Sequence, residues 1–257
     1  MKVAEARVIE RRELGPDLVL LWLSAPEVSQ GARPGQFVMV LAGGEFDPFL
    51  PRALWIHRVR EGEDGEELAV LVEISGRGTA MIAASAPGVR LRVTGPLGRP
   101  LTLLPGVRSL LLIGEGSGIS PLIWCSDEES ARGRSVTLLM GAESAVGLYP
   151  LDLVRPEVEV GVTTADDSAG SRGRVTAIVE GYVSWADQII VAGPDDLFRE
   201  LAALLRSLPW RRPCYAAANV AMPCGTGICG LCGVATRRSG VKLACREGPA
   251  FELRDLV

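Results

Sequence analysis

Four of the six cysteines in this chain crowd towards its C-terminus: Cys224, Cys229, Cys232 and Cys245, the first three in the run Pro-Cys-Gly-Thr-Gly-Ile-Cys-Gly-Leu-Cys. Their spacing is C-x4-C-x2-C-x12-C. The first part of that pattern is the one by which a glycine-rich loop wraps a [2Fe–2S] cluster with thiolates. Gly225, Gly227 and Gly230 lie between the ligands, where glycine permits sharp turns and brings backbone N–H groups close to sulfur. Four thiolates also satisfy one tetrahedral zinc ion, but structural zinc sites pair two short C-x2–4-C knuckles, and here the fourth cysteine stands alone. The cluster is the favoured reading and zinc the alternative. A one-electron carrier makes the rest of the chain a question about electrons.

A second set of residues is suited to phosphate. Gly114-Glu115-Gly116-Ser117-Gly118-Ile119-Ser120-Pro121 follows the apolar run Ser109–Ile113. Strand, glycine turn and helix start together form a cradle of backbone N–H groups at a positive helix end. Gly76-Arg77-Gly78-Thr79 closes another strand and opens a helix, and by itself it reads as a surface turn. With Arg52, whose planar fork suits phosphate oxygens, it becomes a candidate clamp. Asp166 and Asp167 follow the strand Val158–Thr163. An acidic pair there is ordinarily a turn; it also suits ribose hydroxyls and repels a 2′-phosphate, which favours NAD over NADP. His57 is the single histidine and reads as structural; one histidine argues against a catalytic triad or multi-histidine metal site. Cys125 and Cys214 read as buried structural thiols.

The elements that must position these residues fall into three stretches. Residues 1–100 hold short β-rich runs at Ala4–Ile9, Leu18–Leu23, Gln36–Leu41, Trp55–Val59, Leu68–Ile74 and Arg90–Val93, punctuated by Gly-Pro and Pro-Gly turns. That pattern predicts an antiparallel β-barrel, with one helix over Thr79–Ser85. From about residue 107 strands alternate with helices. Ser109–Ile113, Ser135–Met140, Val158–Thr163 and Gln188–Val191 read as buried strands, and Pro121–Arg132 and Asp195–Ser207 as helices. This alternation predicts a parallel sheet covered on both faces. Residues 213–257 hold the cysteines and little regular periodicity, so a metal cluster is expected to staple them.

Composition bounds the rest. The chain has 257 residues, 47% of them apolar, which is enough for two domains and a small appendage. A net charge of −4 argues against a nucleic-acid footprint. The N-terminus has no apolar signal region, and no uncharged apolar run reaches the ~20 residues that span a bilayer. The expected location is the cytoplasm, where thiols stay reduced and a cysteine cluster is a metal site rather than a disulfide framework.

The order of barrel, dinucleotide domain and C-terminal C-x4-C-x2-C-x12-C resembles the ferredoxin–NADP reductase superfamily. More narrowly, it resembles the electron-transfer subunits of class 1B dihydroorotate dehydrogenases. The likeness covers nearly the whole chain. Pro34-Gly35-Gln36-Phe37 matches the family's early strand, Gly76–Thr79 and Gly95-Pro96-Leu97-Gly98 its second flavin segment, and Gly116-x-Gly118-x-x-Pro121 its nicotinamide loop. Thr164–Thr176 is similar to its acidic-and-glycine stretch, and Gly193-Pro194 to the pair before its last helix. Cys245-Arg-Glu-Gly-Pro-Ala-Phe251 is similar to its closing Cys-x-x-Gly-Pro-x-Phe. Two positions depart: Arg52-Ala53-Leu54-Trp55 carries an indole where the family has a hydroxyl, and Ala192 stands where the family has a cysteine.

The resemblance implies a multi-domain β plus α/β fold: an FAD-binding barrel over 1–100, an NAD-binding α/β domain over 101–212 and a [2Fe–2S] segment over 213–257. It implies FAD held by Arg52, Ala53, Leu54, Trp55, Leu71, Val72, Glu73, Gly78 and Thr79. NAD is implied at Gly114, Gly116, Gly118, Pro121, Asp166, Gly193 and Pro194, and the cluster on Cys224, Cys229, Cys232 and Cys245. The implied partner is a catalytic, FMN-containing dihydroorotate dehydrogenase subunit of pyrimidine biosynthesis, in a hetero-oligomer. Electrons from it pass through the cluster and FAD to NAD+, and the isolated chain is a diaphorase. Neither nucleic acid nor membrane is an implied partner. Three readings compete. One is a similar NAD(P)H oxidoreductase subunit of a hydrogenase or transhydrogenase-like complex. Another is a flavin reductase with a vestigial cluster, and the last a zinc-stabilised module without redox turnover.

Overall fold

The computed structural model describes residues 1–43 and 50–257. By its contacts the chain divides into two compact units. One comprises Met1–Leu101, Val220–Val234 and Lys242–Pro249; the other comprises Thr102–Asn219, Ala235–Val241 and Ala250–Val257.

The first unit is built on six strands: β1 (Lys2–Gly15), β2 (Leu18–Ser24), β3 (Phe37–Leu41), β4 (Arg52–Gly62), β5 (Gly65–Glu73) and β6 (Arg90–Leu97). They close into an antiparallel barrel in the order β1-β2-β5-β4-β3-β6. The sequence runs anticipate all six. β1, β2, β4 and β6 extend beyond them and β5 starts earlier, because pairing propagates along each ladder past the apolar residues, while β3 starts at Phe37 and β5 ends at Glu73, each one residue short of its run. Two short helices, α1 (Pro26–Ser29) and α2 (Arg77–Ala83), belong to this unit. α2 lies two residues upstream of its expected position, since the Thr79 hydroxyl accepts from the Ser75 and Gly76 N–H groups at 3.0 and 3.2 Å and so starts the helix early. His57 is fully buried in β4.

Strand β3 is buried along nearly its whole length (Phe37, Val38, Met39 and Val40), although alternation should give a barrel strand one wet face. Its second face is covered by the cysteine segment. A Cβ on Gly225 would lie 2.8 Å from Met39 Cγ and 3.0 Å from Leu97 Cδ1, and one on Gly98 would lie 3.0 Å from the Phe37 ring and 3.1 Å from Pro249. The Arg99 N–H donates to the Gly248 carbonyl at 2.6 Å.

The second unit carries β7 (Ser109–Glu115), β8 (Ser135–Ala142), β9 (Glu159–Thr164), β10 (Ser171–Arg172), β11 (Gln188–Gly193) and β12 (Cys214–Ala218). The hairpin β13 (Gly233–Thr236) and β14 (Gly240–Leu243) follows, and then β15 (Ala250–Glu252). The seven-stranded sheet runs β10-β9-β8-β7-β11-β12-β15. It is parallel except for β15, which pairs antiparallel with β12. Its helices are α3 (Ile119–Ala131), α4 (Thr176–Val183), α5 (Asp195–Ser207) and a short one, α7 (Leu253–Leu256), while the short α6 (Ala244–Glu247) belongs to the first unit. α5 lies where its apolar stripe predicts. Leu197, Phe198, Leu201, Ala202 and Leu205 enter one core with Leu111, Ile113, Val191 and Ala216. Asp195 and Asp196 occupy its first turn, where the helix dipole favours negative charge.

β12 and β15 were not expected. Cys214-Tyr-Ala-Ala-Ala has weak strand propensity and becomes a strand by pairing with β11 from Ile189↔Cys214 to Gly193↔Ala218. Cys125 and Cys214 are buried, which raises both thiols well above their ordinary range. No helix among the described residues is long and apolar enough to cross a membrane.

Asp187 ties the lower ends of β7 and β11. One of its oxygens accepts from the Arg108 and Ser109 N–H groups at 3.0 Å each, and the other meets Arg212 Nη1 at 2.6 Å. Those two N–H groups, with the nearby arginines adding to them, hold the carboxyl below its usual range. A folded-state pKa below the unfolded one adds stability above the ordinary carboxylate pKa, and that stability is lost as pH falls through the depressed value. We therefore expect Asp187→Asn to melt at lower temperature than wild type at about pH 7. In melts repeated towards about pH 3 the gap should narrow.

Candidate functional site

In the first unit, the register between β4 and β5 runs from Gly62↔Gly65 to Ile56↔Val70 and goes no further. Beyond it, Arg52–Trp55 stay paired with β3 and Leu71–Glu73 with β2. No β4–β5 pairing joins these two segments among the described residues, and main-chain donors and acceptors outside a ladder are satisfied by other partners. Seven of the nine residues expected to hold FAD lie along this gap in the ladder, the β4–β5 slot. The other two, Gly78 and Thr79, are brought to Arg52, since a Cβ on Gly78 would lie 2.4 Å from Arg52 Cζ. Arg52 Nη1 also donates to the Leu50 carbonyl at 2.7 Å. The Thr79 hydroxyl donates to the Gly76 carbonyl at 3.0 Å, so its hydrogen-bonding capacity is spent on the turn before α2.

The cysteine loop lies on the neighbouring surface of the same barrel. Residues directly opposite in a ladder share a face. Phe37↔Trp55 and Met39↔Ala53 therefore put Trp55 and Ala53 on the side of the β3–β4 pair that Gly225 packs against. Gly225, Gly227 and Gly230 all have positive φ, at 65°, 87° and 70°. The four sulfurs fall into two pairs. The Cys232 thiol donates to the Cys245 sulfur at 3.2 Å. Cys224 pairs with Cys229, whose backbone N–H, joined by that of Thr226 3.4 Å away, draws the Cys224 thiol down to about 6. Burial, with Cys232 beside it, pushes Cys245 up to about 12. Among the described residues, no group of three or more His, Cys, Asp or Glu side chains is gathered as one metal ion requires. Cys224, Cys229, Cys232 and Cys245 would be the thiolates to hold the [2Fe–2S] cluster.

In the second unit, β7 has β8 on one side and β11 on the other, so chain order reverses between β7 and β11. Open α/β sheets bind nucleotides in the crevice at such a point. Gly114, Gly116, Gly118, Pro121, Gly193 and Pro194 all gather there. Gly118 abuts β11 directly, with a Cβ at 2.5 Å from the Ala192 carbonyl oxygen, and Gly116 has φ +57°. Asp166 lies in the loop after β9, apart from the glycine turn. Its Oδ1 accepts from the Ser168 hydroxyl at 2.5 Å and the Ser168 N–H at 3.0 Å, and these bonds lower its pKa. One oxygen of Asp166 thus closes a turn. Asp167 is the only non-glycine residue at positive φ, 67°, among those described.

Comparison with known proteins agrees with this architecture. The family model described as the iron-sulfur cluster binding domain of dihydroorotate dehydrogenase B matches residues 219–257. Proteins named dihydroorotate dehydrogenase B (NAD(+)), electron transfer subunit, match end to end. The one from Desulforamulus reducens is 32% identical over 257 residues, covering 97% of this chain and 96% of its own length. That from Bacillus caldolyticus is 31% identical over 261 residues, covering 100% and 97%. The chain belongs to the family of dihydroorotate dehydrogenase B electron transfer subunits. A solved structure of an NADH-dependent reduced ferredoxin-NADP oxidoreductase, reported for flavin-based electron bifurcation, superposes with a TM-score of 0.87. It has 26% identity and covers 99% of this chain and 90% of that one. The ferredoxin reductase of carbazole 1,9a-dioxygenase shares the fold at a TM-score of 0.70 and 24% identity, covering 82% and 67%.

Within this family the structure adds residues that sequence reasoning passed over. Arg174 reaches Glu115 inside the glycine turn, and Met39 anchors the cysteine loop. A charged residue inside Gly-Glu-Gly-Ser-Gly was the one available signal for the first. Nothing local marked the second, because strand and loop meet only after folding. The loop's dependence on glycine is testable with two variants. Gly230→Ala, with open space around it, should cost about 1–2 kcal/mol for its left-handed backbone. Gly225→Ala meets the same strain and also displaces Met39 and Leu97, so denaturant titration should find it the more destabilised of the two.

Proposed function

We propose that this chain is the electron-transfer subunit of an NAD-dependent dihydroorotate dehydrogenase, carrying electrons from a catalytic partner subunit to NAD+. The observation that carries this reading is the docking of a paired-thiolate loop on the same β3–β4 surface whose far edge opens into the β4–β5 slot. In this reading Cys224, Cys229, Cys232 and Cys245 hold a [2Fe–2S] cluster. Arg52, Ala53, Leu54, Trp55, Leu71, Val72, Glu73, Gly78 and Thr79 hold FAD. Gly114, Gly116, Gly118, Pro121, Asp166, Gly193 and Pro194 receive NAD. The functions divide along the chain as FAD over 1–100, NAD over 101–212 and cluster over 213–257.

When bound, the flavin and the cluster supply the conversion between hydride and single-electron transfer. The residues of this chain bind, orient and tune. Arg52 supplies a planar cationic fork for phosphate oxygens. The edges of Arg52–Trp55 and Leu71–Glu73 outside the β4–β5 ladder supply hydrogen-bonding partners for a polar ring edge. The N–H groups of Thr226 and Cys229 stabilise a thiolate at Cys224. Gly116 and Gly118 leave the main chain bare for a pyrophosphate at the start of α3. The chain contributes no group of its own to dihydroorotate oxidation. A cytoplasmic location accompanies this reading, because thiolate ligands persist where thiols stay reduced.

Ile228 and Leu231 are exposed beside Cys229, at 88% and 68%. Paired with the family's catalytic subunit, they form an apolar rim to a docking face. Co-expression with that subunit should give dihydroorotate-dependent NAD+ reduction and iron with acid-labile sulfide in the purified complex. Zinc at full occupancy, or a complex without that activity, would refute the assignment. Cys229→Ser should lower that activity about 100-fold or more, beyond the loss usual for outer-shell changes, and remove the reduced-cluster EPR signal. A second reading, a subunit of a transhydrogenase-like complex, is favoured by the superposition on the ferredoxin-NADP oxidoreductase. In that case a flavin-containing partner without dihydroorotate activity should co-purify.

A further inference from the structure

The glycine turn of the second unit contains a carboxylate, and the structure shows what restrains it. Glu115 is the last residue of β7 and lies beside Gly116, where the main chain opens for a pyrophosphate. A carboxylate at this point should repel the ligand. Its side chain is 13% exposed, and it is engaged by an arginine from the loop before α4. Arg174 Nη2 donates to Oε2 at 2.6 Å, while Arg174 Nε at 3.4 Å and the Val175 N–H at 3.3 Å donate to Oε1. This is a two-pronged guanidinium–carboxylate contact, the strong kind of charged hydrogen bond.

Arg174 is itself fixed. Its Nη1 meets Asp196 at 2.9 Å and Glu200 at 3.4 Å, both on α5. Glu200 in turn takes the Thr176 hydroxyl at the start of α4. One guanidinium thus joins the tip of β7 to the first turns of α5, the helix that follows β11. Those are the two sides of the crevice where chain order reverses. Three carboxylates surround one cation, so removing that cation takes from Glu115 the guanidinium that pairs with it and leaves the Val175 N–H.

We propose that Arg174 is a positioning residue for the dinucleotide: it holds the Glu115 carboxylate away from the phosphate cradle and cancels its charge. The inference rests on the reading that this crevice receives NAD. Arg174 is engaged by Glu115, Asp196 and Glu200, so in this reading its effect belongs in binding rather than in the chemical step.

The test uses the FAD- and cluster-loaded chain, with NADH binding measured by calorimetry and turnover as NADH-dependent dye reduction. Arg174→Gln should weaken NADH binding and raise KM about tenfold or more, by unscreened repulsion in a partly dry crevice, with a much smaller change in kcat. Added salt should recover part of the loss, because screening weakens repulsion. Glu115→Gln placed in the Arg174→Gln chain should restore most of the affinity. A bolt that merely held α5 in place would not be mended by removing a second bonding partner, so a double variant as weak as Arg174→Gln overturns the inference. Unchanged affinity in Arg174→Gln overturns it too. Should Arg174→Gln fail to fold, Glu115→Gln alone decides: tighter NADH binding supports the inference and weaker binding refutes it. Wild-type protein that binds no NADH would instead refute the reading of the crevice itself.

Discussion

Thiolates can share a binuclear centre only if the chain joining them doubles back within a few residues. Between Cys224 and Cys232 it does so through three left-handed glycines, at 225, 227 and 230. Left-handed backbone is costly for any residue with a Cβ, and at Gly225 the space a Cβ needs is filled by Met39 and Leu97. The loop therefore depends on the barrel surface as much as on its own turns. In return, the loop buries the face of β3 that carries Phe37 and Met39.

The same unit puts an opening to use. Strands β4 and β5 pair for only part of their length, so the residues past Ile56 and Val70 keep one neighbour each. Unpaired main-chain groups need partners, and in the proposed reading a flat ligand with a polar edge would provide them. β4 borders this slot on one edge and pairs with β3, under the cysteine loop, on the other. In the second unit the corresponding opening is the reversal of strand order between β7 and β11, where Gly118 lets α3 start against the Ala192 backbone. Arg174 then offsets a carboxylate that the turn carries in an awkward place.

Much of this was legible before any coordinates. The barrel strands, the parallel strands β7, β8, β9 and β11 and the helix α5 each announced themselves by periodicity and turn chemistry. The cysteine spacing announced the metal chemistry, and the glycine turn the phosphate cradle. What escaped notice was set by partners remote in sequence. Cys214–Ala218 is a strand because β11 offers it a parallel ladder, and Ala250–Glu252 because β12 has a free edge. Both lie in a stretch that read as a cluster segment alone, since alanine-rich runs carry little β signal.

Residue type and spacing alone determined the alternation of elements, the cysteine pattern and the glycine turns, because these depend on local sterics and on which side chains can hold metal or leave backbone bare. Tertiary structure alone decided which surfaces meet. It packed Met39 on Gly225, stopped the β4–β5 ladder at Ile56↔Val70, drew the sulfurs into two pairs and placed Arg174 over Glu115, 59 positions apart. Contacts of that kind are set by strand register and packing over distances that no window of sequence spans. The chemistry is therefore written locally, and its geometry appears only once the chain is closed.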